Sequence, residues 1–307
     1  MDQCAALVLK VCDTYNRRMS TSAPAYQPTF ARLVPPRVAL ASCVRAWVLR
    51  STMDAAPLAA AERLNRFPAT PFCAITWMID GSAQLVLPAI DGAAAFPGDA
   101  VFSGPRTQPC ITANPGPVHT LSVLFFADAL HRLTGIDMST QIDNMAPMAA
   151  VLGDDWTQLA PLLLAASDDA ARIAAIEDWL EPRWRAVRGT DSPIWAPVRD
   201  WMHALALRAA TAGAGRSARM AERRVRTWAG HPLRTLRRLG RVEESMMAAL
   251  HAERAGQMSL SDVAARGGYA DQAHLSREAR ELIGASPREL LRLIQTDESY
   301  WLYRIWS

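Results

Sequence analysis

Histidine, cysteine and long apolar runs are scarce in this chain, and each scarcity closes off a class of function. The 307 residues hold six histidines, and between residues 29 and 187 only His119 and His131 occur. A metal-binding β-barrel needs several histidines and a carboxylate converging on one point, so neither a metal nor a cofactor is expected. His131 falls in a helical stretch, and His119 reads as a hydrogen-bonded strand residue. The five cysteines, Cys4, Cys12, Cys43, Cys73 and Cys110, are odd in number and lack metal-like pairing. They read as reduced thiols of a cytoplasmic protein rather than as a disulfide framework or a zinc site. No apolar run reaches the roughly 18 residues of a spanning helix. Asp2 and Lys10 also make the first residues a poor secretory signal. Neither a Gly-x-Ser-x-Gly elbow nor a phosphate-cradling glycine loop is present. No catalytic residue is expected, and the chain does not read as an enzyme.

Half of the residues are hydrophobic, so the length admits two domains, each with its own core. Net charge is only +3, but it is unevenly placed. From Pro193 to Ser307 there are 18 Arg against 12 Asp and Glu, or +6; the remainder carries 15 basic and 18 acidic residues, or −3. Lys10 is the only lysine. A basic C-terminal half beside a mildly acidic N-terminal one favours contact of the former with nucleic acid.

Residues 1–28 read as disordered and residues 29–187 as one domain. The stretch from Val38 to Arg50 suits a helix running into a strand. Phe72–Ile79 and Gln84–Leu87 alternate like strands around Asp80-Gly81, a strong hairpin signal. Further short strands are expected at Ala100–Phe102, Cys110–Thr112 and His119–Phe126, between Gly and Pro punctuation. Regularly punctuated short strands suggest a small β-barrel or a sandwich. Helical periodicity follows in Asp128–Leu133, Asp154–Ala166 and Asp168–Trp184. The last two serve either as a dimerisation face or as caps on the β-structure. A ligand in the barrel mouth would meet Trp77, Phe102 and Phe125, residues that also suit plain core. A polar linker is expected at residues 188–193.

The C-terminal part, residues 194–307, reads as all-helical. A helix over Trp195–Ala210 precedes a second opened by Ser217, with Ala221, Val225 and Trp228 as its buried stripe. Between Arg216 and Arg241 nine arginines meet a single acidic residue, Glu222. So much like charge in about two helices calls for a polyanion. Leu233–Arg254 is one long helix. Ser259 then caps a short helix bearing Val263 and Ala264, Gly267-Gly268 stops it, and Tyr269 plugs the corner. Asp271 caps the next helix, Gly284 ends it, and Ser286-Pro287 starts another. Two short helices around a glycine turn make a helix-turn-helix or an ordinary helical hairpin. The C-terminal aromatics Tyr300, Trp301, Tyr303 and Trp306 close a core or form a contact surface.

The string Val263-Ala264, Gly268-Tyr269, Asp271-Gln272, His274-Leu275, Arg277, Gly284 and Ser286-Pro287 resembles the second helix-turn-helix of AraC-type transcriptional regulators. Ser217, Arg219, Arg223, Arg224 and Gly230 resemble the first, although His231-Pro232 replaces the usual Ser-Pro, and Ala279 stands where a large aromatic is common. The resemblance implies an α+β protein: a cupin-like, effector-sensing N-terminal domain and an all-α domain with two helix-turn-helix units. DNA contacts would then come from Arg219, Arg223, Arg224 and Arg226 in the first unit and from Asp271, Gln272, His274 and Arg277 in the second. Double-stranded DNA, a small-molecule effector, a second copy of the chain and RNA polymerase are the implied partners of a cytoplasmic, bacterial-type regulator. The competing reading is a small-molecule-binding or enzymatic cupin-like protein with a structural helical tail.

Overall fold

The computed structural model describes residues 29–88, 100–189, 198–212 and 217–306. The expected disordered N-terminus, most of the expected linker and Trp195 lie outside them. The architecture is α+β. A six-stranded antiparallel sheet runs in the order β1 (Phe30–Val34), β2 (Val44–Ser51), β8 (His119–Phe126), β4 (Phe72–Asp80), β6 (Ala100–Ser103), β9 (Met145–Pro147). A second sheet has the order β3 (Leu64–Phe67), β7 (Cys110–Ala113), β5 (Gln84–Leu87). Among the described residues the two sheets do not close into a barrel. Among the described residues an isolated bridge joins Thr70 with Arg106 outside the named strands.

Asp80-Gly81 does not make the expected hairpin. β4 pairs with β8 and β6, and β5 pairs with β7. Gly81 has φ +77°, but Asp80 does not take the positive φ that a type I′ hairpin turn needs at both central residues. The turn instead carries the chain from one sheet to the other. A Cβ at Gly81 would lie 2.3 Å from the carbonyl oxygen of Pro117, so glycine permits this close crossing.

Strand alternation gives the large sheet two unlike faces. Trp47, Ile75, Trp77, Phe102, Leu121 and Phe125 point into a core shared with the helices. These helices are α1 (Ala127–Thr134), α2 (Met148–Leu152), α3 (Leu159–Ala165), α4 (Asp169–Val187) and α5 (Val198–Thr211). The same core takes in Val225, Ala229 and Leu236 from α6 (Ala218–Ala229) and α7 (Leu233–Arg254). A second core gathers α7 with α8 (Leu260–Arg266), α9 (Gln272–Ile283) and α10 (Pro287–Thr296). The chain ends in α11 (Trp301–Trp306), packed on β1 and β3.

Buried carboxylates tie these layers together. Glu177 of α4 accepts from Trp47 Nε1 at 3.0 Å and from the Arg37 backbone N–H at 2.9 Å. Burial pushes its carboxyl above the usual range. Asp128 of α1 accepts from Trp201 Nε1 of α5 at 2.6 Å and from Arg208. Glu298, just before α11, pairs with Arg50 of β2 at 2.8 Å and with Thr29 and Arg304. The Arg50 guanidinium also stacks 4.7 Å from the Trp301 ring centre, while Trp301 Nε1 donates to Asn65 Oδ1 at 2.8 Å.

Replacing Glu298 by Ala leaves Arg50 buried without its carboxylate. The expected loss is about 3–5 kcal/mol of unfolding free energy, as for one partner of a buried pair, read by urea denaturation. A loss below about 1 kcal/mol, the range of an exposed pair, would show that this contact holds little.

Candidate nucleic-acid interface and cavity

Helix α6 is built as an outward basic face on a buried stripe. The Ser217 side chain accepts from Met220 N–H and starts the helix. Val225 and Ala229 are buried, and Ala221 and Trp228 pack against the same core. Arg219, Arg223 and Arg226 fall at i, i+4 and i+7 on the exposed side. Among the described residues Arg219 and Arg223 form no ion pair, and Arg226 sits 4.0 Å from Glu222. Arg224 does not join them. It shares the side of Ala221 and Trp228, is half-buried, and donates to the Ala209 carbonyl at 3.0 Å. It is a tie between α5 and α6.

The inner side of α6 rests on the N-terminal half. The Trp228 ring lies 6.4 Å from that of His131, and Thr227 Oγ1 bonds Asp137 at 3.4 Å.

Helices α8 and α9 form the expected glycine-turned pair. Ser259 caps α8, and the Asp271 carboxylate accepts the His274 backbone N–H at 2.6 Å to start α9. Gly268 has φ +71°, and a Cβ on Gly267 would come within 2.6 Å of Ser245 Oγ. Tyr269 is buried at the corner, with His274 edge-on to its ring at 5.3 Å. Gln272 and Arg277 are exposed; His274 is half-buried, and Asp271 is engaged as a cap. Arg280, exposed eight residues beyond Gln272, shares their face and was not singled out from the sequence; counting on by fours would have found it.

The inner side of α9 is locked to α7 by charge. Buried Glu278 takes Arg238 Nε at 2.8 Å and Arg241 Nη2 at 2.9 Å, and Glu281 also pairs with Arg238. Arg234 and Arg237 on α7 stay exposed, beside that paired set.

A cavity of about 260 Å³ lies between the two sheets and the C-terminal helices. Thr76, Ser122 and Leu124 of the large sheet form one wall, and Leu239, Val242 and Met246 of α7 form another. None of Trp77, Phe102 and Phe125 lines it. They occupy the opposite face of the sheet, in the helical core. Alternation separates the two faces but does not say which one a cavity will use.

His119 Nε2 bonds Asp169 at 3.0 Å, and His131 Nδ1 bonds the Ile136 carbonyl at 2.7 Å. Among the described residues no His, Cys, Asp or Glu group could hold a metal ion. Cys43, Cys73 and Cys110 are buried, which raises their thiol pKa values. Among the described residues no helix is long and apolar enough to cross a membrane.

Residues 210–293 match a protein-family model described as a helix-turn-helix domain, a span that begins in α5 and ends in α10. Solved structures of ToxT from Vibrio cholerae resemble the chain at low sequence identity. A ligand-free variant is 10% identical with a TM-score of 0.39, covering 80% of this chain and 97% of its own. A second ToxT structure gives 12%, 0.36, 76% and 97%, and one with bound unsaturated fatty acid gives 14%, 0.33, 75% and 93%. No curated protein matches the chain by sequence.

A buried histidine sits at the joint between α6 and α7. His231 is buried there and its Nε2 has no partner. Burial lowers its pKa below the ordinary value of about 6.5. The unfolded chain therefore takes up the proton first as pH falls. Stability from this group is complete above about 6.5 and is lost between there and the lowered folded value. Replacing His231 by Gln should flatten the stability profile in that window, measured by denaturant melts at pH 7.5 and 5.5. An unchanged slope would assign the acid sensitivity to other groups.

Proposed function

We propose that this chain, whose residues 210–293 match a helix-turn-helix domain, is a sequence-specific DNA-binding transcription regulator of the AraC type. The observation that carries the reading is the exposed arginine stripe of α6, Arg219, Arg223 and Arg226, set on a helix whose other side is fixed. Each helix-turn-helix unit would lay one helix, α6 or α9, in the major groove, with the two grooves one helical turn apart. The α6 arginines, with Arg234 and Arg237 of α7, would bind phosphates. Gln272 and His274 would read base edges and Arg277 a phosphate, while Asp271 mainly holds the start of α9.

The same proposal gives the cavity a small-molecule effector. Its walls come from both the sheets and the DNA-binding helices, so an occupant that fits one arrangement of them better than another shifts how the two units are presented. A second copy docking through α3 and α4, where Leu162 and Leu164 are exposed, and contact with RNA polymerase complete the set of partners.

The reading is tested by binding of the purified protein to its own upstream DNA against random competitor at two salt concentrations. Tight, competitor-resistant binding supports it; weak binding equal for both DNAs sinks it and favours a ligand-binding protein with a basic tail. Substituting Arg219 and Arg223 by Ala should weaken binding to all DNA and lower the log–log salt slope by about 0.9 for each phosphate that is no longer neutralised. An unchanged slope argues against phosphate binding there. Gln272→Ala should instead reduce discrimination by about 1–3 kcal/mol at one or two base pairs, and equal losses on specific and random DNA count against base reading.

A further inference from the structure

We propose that His231 is an acid-sensitive latch between the halves. Uncharged, it lets the joint of α6 and α7 lie dry against the N-terminal half; on taking up a proton it releases that joint and frees α6. The consequence for DNA rests on α6 being a DNA-binding helix, although the latch itself does not. The seam is close. A Cβ on Gly230 would lie 3.1 Å from the Met138 carbonyl oxygen and 3.2 Å from Pro105 Cγ, so this glycine, with φ +79°, is seated directly on the N-terminal half. The platform beneath it is braced. Gly104 N–H donates to the Asn144 carbonyl at 2.9 Å, and Asp143 N–H donates to the Pro105 carbonyl at 2.8 Å. His231 is the next residue, 2% exposed, with Nε2 buried and unpartnered among the described residues.

A neutral ring pays little for one dry lone pair. Imidazolium brings a charge and a second N–H, and both need partners. The surroundings do not supply them. Asp143 faces the ring across the seam, but both its oxygens are taken by Thr107, one of them by the backbone N–H at 2.9 Å. Arg106, in the same loop, is itself a buried cation. Cys110, near Arg106 and Asp143, is a thiol whose pKa burial raises. Asp137 is held by Ser139 and Thr227. On the histidine's own side, Arg226 and Arg234 are exposed and of the wrong sign. Burial thus outweighs Asp143 and the Arg106 backbone, and the ring's pKa falls. Opening the seam returns water to the ring, so protons favour the open form. His131, the other histidine at this seam, is half-buried, with Nδ1 on the Ile136 carbonyl and its ring tilted against Trp228; it is the competing sensor.

The N-terminal half also holds α9, through Ala69 N–H on the Leu282 carbonyl at 2.7 Å. A closed latch therefore carries α6 and α9 in one frame, and a helix fixed in advance binds at a lower ordering cost. Acid takes α6 out of that frame and opposes DNA binding.

The test follows hydrogen exchange of the full chain without DNA, in peptides covering residues 100–110 and 226–236, at pH 7.5 and 5.5 after correction for the intrinsic rate. A ring that titrates at about 6.5 when exposed and lower when latched makes opening about tenfold more frequent over that interval. The parent should lose protection on that scale. His231→Gln and His231→Leu, which cannot charge, should change less than about twofold, and whichever folds serves as the reference. By NMR the His231 ring of the parent, assigned against that reference, should titrate below the ordinary value of about 6.5. Equal loosening in parent and reference, loss of the loosening in His131→Gln instead, or a His231 ring that titrates at or above 6.5 would overturn the proposal. Upstream DNA added at pH 7.5 should slow exchange in both peptides, because a ligand of the latched form opposes opening; faster exchange would overturn the claim that acid works against DNA. A chain that loosens through His231 yet binds no DNA keeps the latch and sinks the regulator reading. A chain that binds its upstream DNA without acid loosening does the reverse.

Discussion

A carboxylate taken out of water must be met by donors from whatever surrounds it, and this chain uses that demand to fix its layers. Glu177 joins a helix to the face of the large sheet, Asp128 joins α1 to α5, Glu278 joins α9 to α7, and Glu298 joins the C-terminal segment to β2. Each draws on arginine or indole donors from another element. Apolar packing is non-directional and would tolerate several relative settings of sheets and helices. The paired charges tolerate few, because breaking one pair strands its partner in a dry interior.

The same economy sorts the arginines. Those facing a buried acid, such as Arg50, Arg208, Arg238 and Arg241, are structural. Those turned outward on α6 and on the exposed face of α9 keep their charge available to an external polyanion. Helix α6 thus has two unlike sides: one shares a core with the N-terminal half, the other is basic and open.

The C-terminal half was largely legible in the sequence because its signals are local. Ser217, Ser259, Asp271 and Ser286 cap where expected, Gly268 and Gly284 turn where glycine is needed, and Tyr269 fills its corner. Arg224 could have been set apart as well, since it falls three residues after Ala221 and four before Trp228. The N-terminal half depends on partners distant in the chain. Asp80-Gly81 carried a hairpin signal, yet which strands pair was decided by the competing β4–β8 register. Strands β1, β3 and β9 are short and weakly alternating, and they exist because neighbouring edges satisfy their backbone groups. The aromatic residues of the large sheet announced burial but not direction.

The union of Arg50 with Glu298 also sets an order of events during synthesis. The two residues are 248 positions apart, and a ribosome adding about 5–20 residues per second needs roughly 12–50 seconds to span them. Strand β2 therefore emerges long before the carboxylate that its arginine pairs with. Seating the C-terminal segment on β2 is thus a late event relative to the synthesis of that strand.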